Sequence, residues 1–300
     1  MNNRSSQQTV PGLQGAAVFY VTSFGISWAI WGILILFPQT ADWAPLIILL
    51  GAYGPLLAAL LLNRVFGGSG AVRGWLRSVG GVRKQWRWIL LGAFSLPLII
   101  AAAHLLLLRL FVGPFTLSAD PPWYWAASAV PLNILILFWM SSAVEEFGWQ
   151  GFALPRLTER VHPLPACLIH GLLWGTWHLP LYLTGAWSAG YQSIGSLYAI
   201  TLTLAPTLFW LTQRAGGSVI PAVLLHAATN HYSALFMEEQ TYPIFGEPLS
   251  ASFVEIKVAI YLAIALVLIV TTRGRLGLPE ESIDAVGDRL TAPAWSAPAD

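Results

Sequence analysis

The sequence is poor in charge, because 10% of its 300 residues are Asp, Glu, Lys or Arg whereas 56% are hydrophobic. Soluble globular domains carry about 25% charged residues. This shortage excludes an ordinary soluble enzyme, and a net charge of +1 lacks the basic excess that nucleic-acid-binding proteins show. We therefore predict an all-α, polytopic membrane helix bundle that lies in the lipid bilayer and has no nucleic-acid partner.

A second cysteine is also lacking, and we expect no cleavable signal peptide. The single cysteine, Cys167, lies in an apolar segment, which excludes an intrachain disulfide. The first fourteen residues are polar and do not show the charged-then-apolar order of a signal peptide. We expect a polar cytoplasmic N-terminus over residues 1–14, a transmembrane helical domain over residues 15–272 and a disordered cytoplasmic tail over residues 273–300.

Long apolar segments dominate what is present, and a membrane-spanning helix needs about 20 mostly apolar residues. The connections after the second, fourth and sixth segments and the C-terminal tail carry arginine, whereas the connections between them carry little basic charge. Since loops rich in Lys and Arg stay in the cytoplasm, this pattern predicts eight spans in the inner (cytoplasmic) membrane with both termini cytoplasmic. The predicted spans are 16–37, 45–62, 88–112, 123 to about 145, 165–183, 194–211, 219–236 and 254–272.

Two adjacent acids, Glu145 and Glu146, end the apolar run 126–144. An ionised carboxylate in hydrocarbon costs several kcal/mol, so acids there usually face a wet cavity and have a function. Two later predicted spans carry His178, and His226 with Asn230. Helical spacing places His226 and Asn230 on one face and separates the two glutamates by about 100°. We expect all five side chains to converge in one pocket.

These residue types support peptide hydrolysis in two ways that the sequence does not separate. In the first, a carboxylate activates a water, a histidine relays the proton, and a second histidine with an amide stabilises the oxyanion. In the second, Glu145, His178 and His226 bind Zn²⁺, which keeps one position open for water. Outside hydrolysis, the acid pair also suits a proton-coupled transporter.

Three short segments occur in order on the predicted spans: EEFGWQ at 145–150, WGTWH at 174–178 and HAATN at 226–230. They resemble the Glu-Glu-x-x-x-Arg, aromatic-x-x-x-His and His-x-x-x-Asn motifs of the CAAX protease and bacteriocin-processing family, also called the Abi or type II CAAX prenyl endopeptidase family. The resemblance covers about residues 143–231, within a protease-like core of about 123–236. It implies an intramembrane endopeptidase that acts on a peptide or a membrane protein.

By this resemblance, Glu145 activates water with His178, while His226 and Asn230 stabilise the oxyanion or bind a metal, and Glu146 orients these groups.

The chain departs from the family pattern at Gln150, where the motif has arginine. Gln150 is four residues from Glu146, so the two can share a hydrogen bond, although a neutral one is weaker than the charged bond of an arginine. Arg156 could compensate for the missing charge. The departure leaves open a second reading, an inactive membrane scaffold or bacteriocin self-immunity protein on the same fold.

Overall fold

The structure, a computed structural model, describes residues 12–82, 85–111, 113, 132, 135, 138–184, 193–237 and 252–280. These residues are predominantly helical and contain no strand, so the predicted all-α membrane bundle is confirmed. The predicted tail beyond residue 280, most of the polar N-terminus and most of the fourth predicted span lie outside the described residues.

The α-helices are numbered in chain order among the described residues. A 3₁₀ turn, Pro38–Trp43, precedes α2, and three π turns, Leu91–Ser95, Phe138–Ser142 and Trp149–Ala153, interrupt later helices. The helices are α1 Gly12–Leu36, α2 Ala44–Ala52, α3 Gly54–Val79, α4 Trp86–Leu90, α5 Leu96–Phe111, α6 Ala143–Gly148, α7 Leu154–Thr158, α8 Pro163–Trp177, α9 Leu179–Leu183, α10 Ile194–Arg214, α11 Ile220–Met237 and α12 Ser252–Thr272.

Five segments of the described chain are long and apolar enough to cross a membrane, and they match the first, second, third, sixth and eighth predicted spans. The chain is therefore a multi-pass membrane protein, while the count of eight stays a prediction. The other three predicted spans carry the polar residues of interest. The fourth is mostly undescribed, the fifth divides into α8 and α9 at His178, and His226 and Asn230 lower the mean hydropathy of α11.

Glycines allow the helices around the glutamates to approach closely. A Cβ at Gly148, at the end of α6, would lie 2.6 Å from the backbone oxygen of Pro55 in α3. A Cβ at Gly171 in α8 would lie 2.9 Å from the Cα of Leu202 in α10. Membrane helices pack through such small residues because lipid provides no hydrophobic drive for association. These contacts fix α6 and α8 in the middle of the bundle.

An aromatic core supports the segment that follows the glutamates. Phe19 of α1 packs against Trp149 and Phe152, with ring centroids 5.5 and 5.2 Å apart. Trp149 also meets Trp177 of α8 edge to face at 5.5 Å, and all four rings are at most 2% exposed. Helix α1, far away in sequence, is therefore part of the scaffold that positions the polar residues.

A sharp change of direction in α3 separates its apolar part from its arginine-bearing part. Gly68 has φ 74° and ψ −175°, a conformation that residues with a side chain rarely adopt. Beyond it, the indole N–H of Trp75 donates to the carbonyl of Gly151 at 2.8 Å. This contact attaches the arginine-bearing half of α3 to the π turn after the glutamates.

Candidate active site

The two glutamates lie on α6, a short helix between two π turns. Single π turns within helices occur frequently at functional sites. Glu145 and Glu146 are 5% and 0% exposed, so both carboxylates are removed from bulk water. Because adjacent helical residues point in different directions, the two acids have different partners: Glu145 bonds to Trp174 and Glu146 bonds to His226.

Trp174 of α8 connects the first acid to a histidine. Its indole N–H donates to Glu145 Oε2 at 2.9 Å, and its backbone carbonyl lies 3.0 Å from Nδ1 of His178. Since a carbonyl can only accept, the proton is on His178 Nδ1, and in the neutral ring Nε2 carries the lone pair. Trp174 therefore orients both Glu145 and the imidazole of His178, the two groups that were predicted to act together.

Glu146 and His226 form a buried carboxylate–imidazole pair. His226 Nδ1 lies 2.8 Å from Glu146 Oε1, and the two side chains are 5% and 0% exposed. The His226 ring also meets the Trp174 ring edge to face, with centroids 5.3 Å apart. A hydrogen bond between ionised groups is about twice as strong as a neutral one, so Glu146 fixes the orientation of His226.

Asn230 provides a second attachment between α11 and the glutamate segment. Its Nδ2 donates to the hydroxyl of Ser141 at 3.0 Å. Asn230 lies about one helical turn after His226, and Ser141 lies about one turn before Glu145. The structure thus brings the predicted site residues together around Trp174 and Ser141. Their individual roles in catalysis stay predictions.

Gln150 does not replace the arginine of the family motif. Its side chain is buried at 1% exposure, and within the described chain neither its amide atoms nor Glu146 Oε2 has a hydrogen-bond partner. The bond between Glu146 and Gln150 that helical spacing allows is not formed. The π turn that begins at Trp149 changes the helical geometry between the two residues.

Arg156 does not compensate for the missing motif arginine. Its guanidinium lies 3.4 Å from the ring centroid of Phe152, and its Nη1 donates to the Phe152 carbonyl at 3.0 Å. The positive charge of Arg156 therefore lies on Phe152, beyond Glu146 in the chain, rather than on the Glu146 carboxylate.

The structure adds residues that sequence reasoning left out. Tyr20 OH lies 3.0 Å from His170 Nδ1, and the His170 ring stacks on Trp174 at 5.9 Å with 6° between the planes. Lys257 of α12 is 6% exposed and interacts electrostatically with His226. Lys257 could have been recognised from the sequence, because a lysine within an apolar segment is unusual. Tyr20 could not, because no local pattern distinguishes it and its partner His170 is 150 residues away.

The predicted zinc ligands, Glu145, His178 and His226, each have a hydrogen-bond partner within the protein. Oxygens of Glu145 and Glu146 accept from Trp174 and His226, and His178 Nδ1 bonds to a carbonyl. Among the residues that the structure describes, no three His, Cys, Asp or Glu side chains are arranged to hold a metal ion. Metal-bound histidines also donate their second ring N–H to a carbonyl or a carboxylate, so these hydrogen bonds are compatible with zinc. We derive no step through a metal, and zinc dependence stays an untested prediction.

Comparison with known proteins covers the same part of the chain. Residues 126–232 match the family model of the Rce1-like type II CAAX prenyl endopeptidases. The chain is also 28% identical over 126 residues to "CAAX prenyl protease 2" of Methanococcus maripaludis, across 40% of this chain and 43% of that protein. The match therefore spans less than half of the relative's length. Both findings confirm the resemblance drawn from the three motifs: residues 126–232 are similar to the Rce1-like type II CAAX prenyl endopeptidases.

Proposed function

We propose that this protein is an intramembrane endopeptidase that hydrolyses a peptide bond with a water activated by Glu145. One observation carries the proposal: Trp174 holds Glu145 through its indole N–H and His178 through its carbonyl. A buried acid and a buried imidazole with fixed orientation are what general-base catalysis requires. The match to the family model over residues 126–232 and the relative's name support the same class of reaction.

In this mechanism Glu145 accepts a proton from water through the oxygen that does not bind Trp174. The resulting hydroxide attacks the carbonyl carbon of the scissile peptide bond. His178, whose Nε2 carries the lone pair, then helps to move the proton to the departing amine as the C–N bond breaks. A positioned base of this kind accelerates hydrolysis by about 10² to 10⁴-fold.

His226 and Asn230 stabilise the oxyanion that forms during the attack. His226 Nδ1 donates to Glu146, so its Nε2 can donate to the oxyanion only when the ring is protonated. The Glu146 carboxylate at 2.8 Å favours that imidazolium. Donors placed in this way contribute about 10² to 10³-fold to the rate.

The substrate that suits this site is an extended or locally unwound peptide. Within a regular helix the backbone amides bond to one another and are shielded by side chains, so water cannot reach a carbonyl carbon. We propose that the protein lies in the inner membrane with both termini in the cytoplasm, and that the site opens toward the cytoplasm. The test below compares peptides with and without a prenyl group, and so shows whether cleavage requires one.

The test compares purified wild-type protein with Glu145→Gln on quenched fluorescent peptides, with and without a prenyl group. We expect Glu145→Gln to lower kcat at least about 100-fold, because the base is lost while the shape is kept. Glu255→Gln is the matched control, since Glu255 is an exposed acid in the first turn of α12. Equal turnover by Glu145→Gln and wild type contradicts the proposal.

A second candidate, an inactive scaffold or self-immunity protein, is favoured by the buried Gln150 without a hydrogen-bond partner. It predicts no cleavage by the wild type and the appearance of cleavage in Gln150→Arg. A proton-coupled transporter, suggested by the buried acid pair, instead predicts proteoliposome flux that Glu145→Gln abolishes, with no peptide product.

A further inference from the structure

A cluster of arginine and tryptophan lies at one end of the α4–α10 pair. The Arg87 guanidinium is 5.3 Å from the Trp86 ring centroid, at the start of α4. The Arg214 guanidinium, at the end of α10, is 5.2 Å from the Trp88 ring centroid. Arg87 and Arg214 thus lie against two tryptophans of α4, Trp86 and Trp88, where α4 begins and α10 ends. Tryptophans at the ends of apolar segments are typical of the membrane interface.

Two adjoining cavities run from this cluster along the bundle. The first, about 510 Å³, is lined by Arg87, Trp88 and Leu91 among others. The second, about 340 Å³, lies between α5, α10 and α12, and Thr207 is the one polar residue that lines it among those that the structure describes. Its apolar walls include Leu96, Trp210, Val267 and Leu268.

The two cavities form one continuous surface. Leu91 lines both of them. Trp88 from the first cavity and Trp210 from the second meet edge to face, with ring centroids 5.6 Å apart. The surface therefore has a cationic end and an apolar groove, which is the complement of an amphiphile with an anionic head and a hydrocarbon chain.

We propose that this surface is a binding site for an anionic phospholipid, with the phosphate at Arg87 and Arg214 and an acyl chain in the apolar groove. A guanidinium group can donate two parallel hydrogen bonds to the oxygens of one phosphate, and basic residues beside membrane helices attract anionic lipid. A peptide segment fits the groove poorly, because its backbone amides would lack hydrogen-bond partners along the apolar walls.

The proposed lipid site is connected through a π turn to α11, the helix that carries His226. The π turn Leu91–Ser95 packs against the start of α11, and Gly92 leaves no room there for a side chain beside Pro221. A bound lipid would press on the outer side of this turn and support α11. Anionic lipid should therefore raise the thermal stability of the protein as well as bind to it.

The experiment measures binding of phosphatidylglycerol and phosphatidylcholine to the full chain in detergent by native mass spectrometry. We expect wild type to prefer phosphatidylglycerol and Arg87→Gln/Arg214→Gln to bind it about 30-fold more weakly. Arg73→Gln/Arg77→Gln is the matched control, because it removes the same charge from exposed positions of α3 outside both cavities. Val267→Trp fills the groove and should weaken binding with all four arginines present.

The variants must elute as single peaks in size-exclusion chromatography with wild-type helicity by circular dichroism. Loss of the preference in Arg87→Gln/Arg214→Gln together with its retention in the control pair supports the site. An equal loss in both pairs shows general attraction to the charged surface and overturns it, as does a wild type without preference. Unchanged binding by Val267→Trp overturns the placement of the acyl chain in the groove.

Discussion

Trp174 joins the candidate active site through two different groups, its side-chain N–H and its backbone carbonyl. The indole bonds to Glu145, the carbonyl bonds to His178, and the ring lies against both His170 and His226. Trp174 is 3% exposed, and a movement of its ring would disturb Glu145 and His226 together. We therefore infer that the aromatic residue of this motif positions both groups rather than only forming a pocket wall.

Trp174→Phe should separate this positioning role from packing. The substitution keeps a ring but removes the N–H that bonds to Glu145. A hydrogen bond to a charged group contributes about 1.5–3 kcal/mol, so kcat should fall about 10 to 150-fold. Trp177→Phe is the control, since the buried Trp177 N–H has no hydrogen-bond partner in the described chain. Similar kinetics for the two variants contradict the role of the Trp174 N–H.

Removal of metal should leave the activity intact, because no three His, Cys, Asp or Glu side chains of the described residues are grouped around one point. The expected result is unchanged turnover after dialysis against a chelator, together with zinc well below one equivalent by elemental analysis. Activity lost on chelation and restored by Zn²⁺ would instead assign Glu145, His178 and His226 as metal ligands.

The sequence singled out these side chains as candidates but did not predict which of them pair. Intramembrane polar residues are conspicuous, which is why the glutamates, His178, His226 and Asn230 could be identified. Which acid meets which partner depends on tertiary contacts that no local pattern encodes, such as the bond between Asn230 and Ser141.

Among the elements, α6 determines where the acids point, and it is fixed by a π turn on each side and by contact with α3. Helical periodicity predicts neither π turn, since each adds a residue to a turn without a recognisable signal. The break at His178 and the bend at Gly68 were likewise not anticipated. By contrast, four apolar spans were predicted to within about four residues, because hydropathy alone identifies them. The second, predicted over 45–62, is longer in the structure and extends over Pro38–Gly68.

Gly148→Ala should destabilise the contact between α6 and α3. The added methyl would lie 2.6 Å from backbone and side-chain atoms of Pro55, so one helix must shift. Overpacking of this kind costs about 1–3 kcal/mol and should lower both the melting temperature and kcat. Gly74→Ala, where the methyl meets nothing within 4 Å, should leave both unchanged. Equal melting temperatures for the two variants would show that the approach of α6 to α3 is not tight.

For the whole molecule, the distribution of arginine gives a topology that can be measured. Cys167 is fully buried, so Cys167→Ala provides a cysteine-free background with little disturbance of the surface. In that background, Asp42→Cys should react with a membrane-impermeant maleimide in intact cells, whereas Arg77→Cys should react only after permeabilisation. Both native residues are exposed. The reverse labelling pattern would invert the proposed orientation.

The central claim is that acidic and imidazole groups from separate helices activate one water to cut a peptide bond, and isotope labelling tests it most directly. Purified protein is incubated with its peptide in H₂¹⁸O, and the products are examined by mass spectrometry. The account predicts two fragments, with one ¹⁸O in the newly formed carboxylate, from wild type and Glu255→Gln but not from Glu145→Gln. Intact peptide with wild-type protein, or the same labelled products from Glu145→Gln, would contradict it.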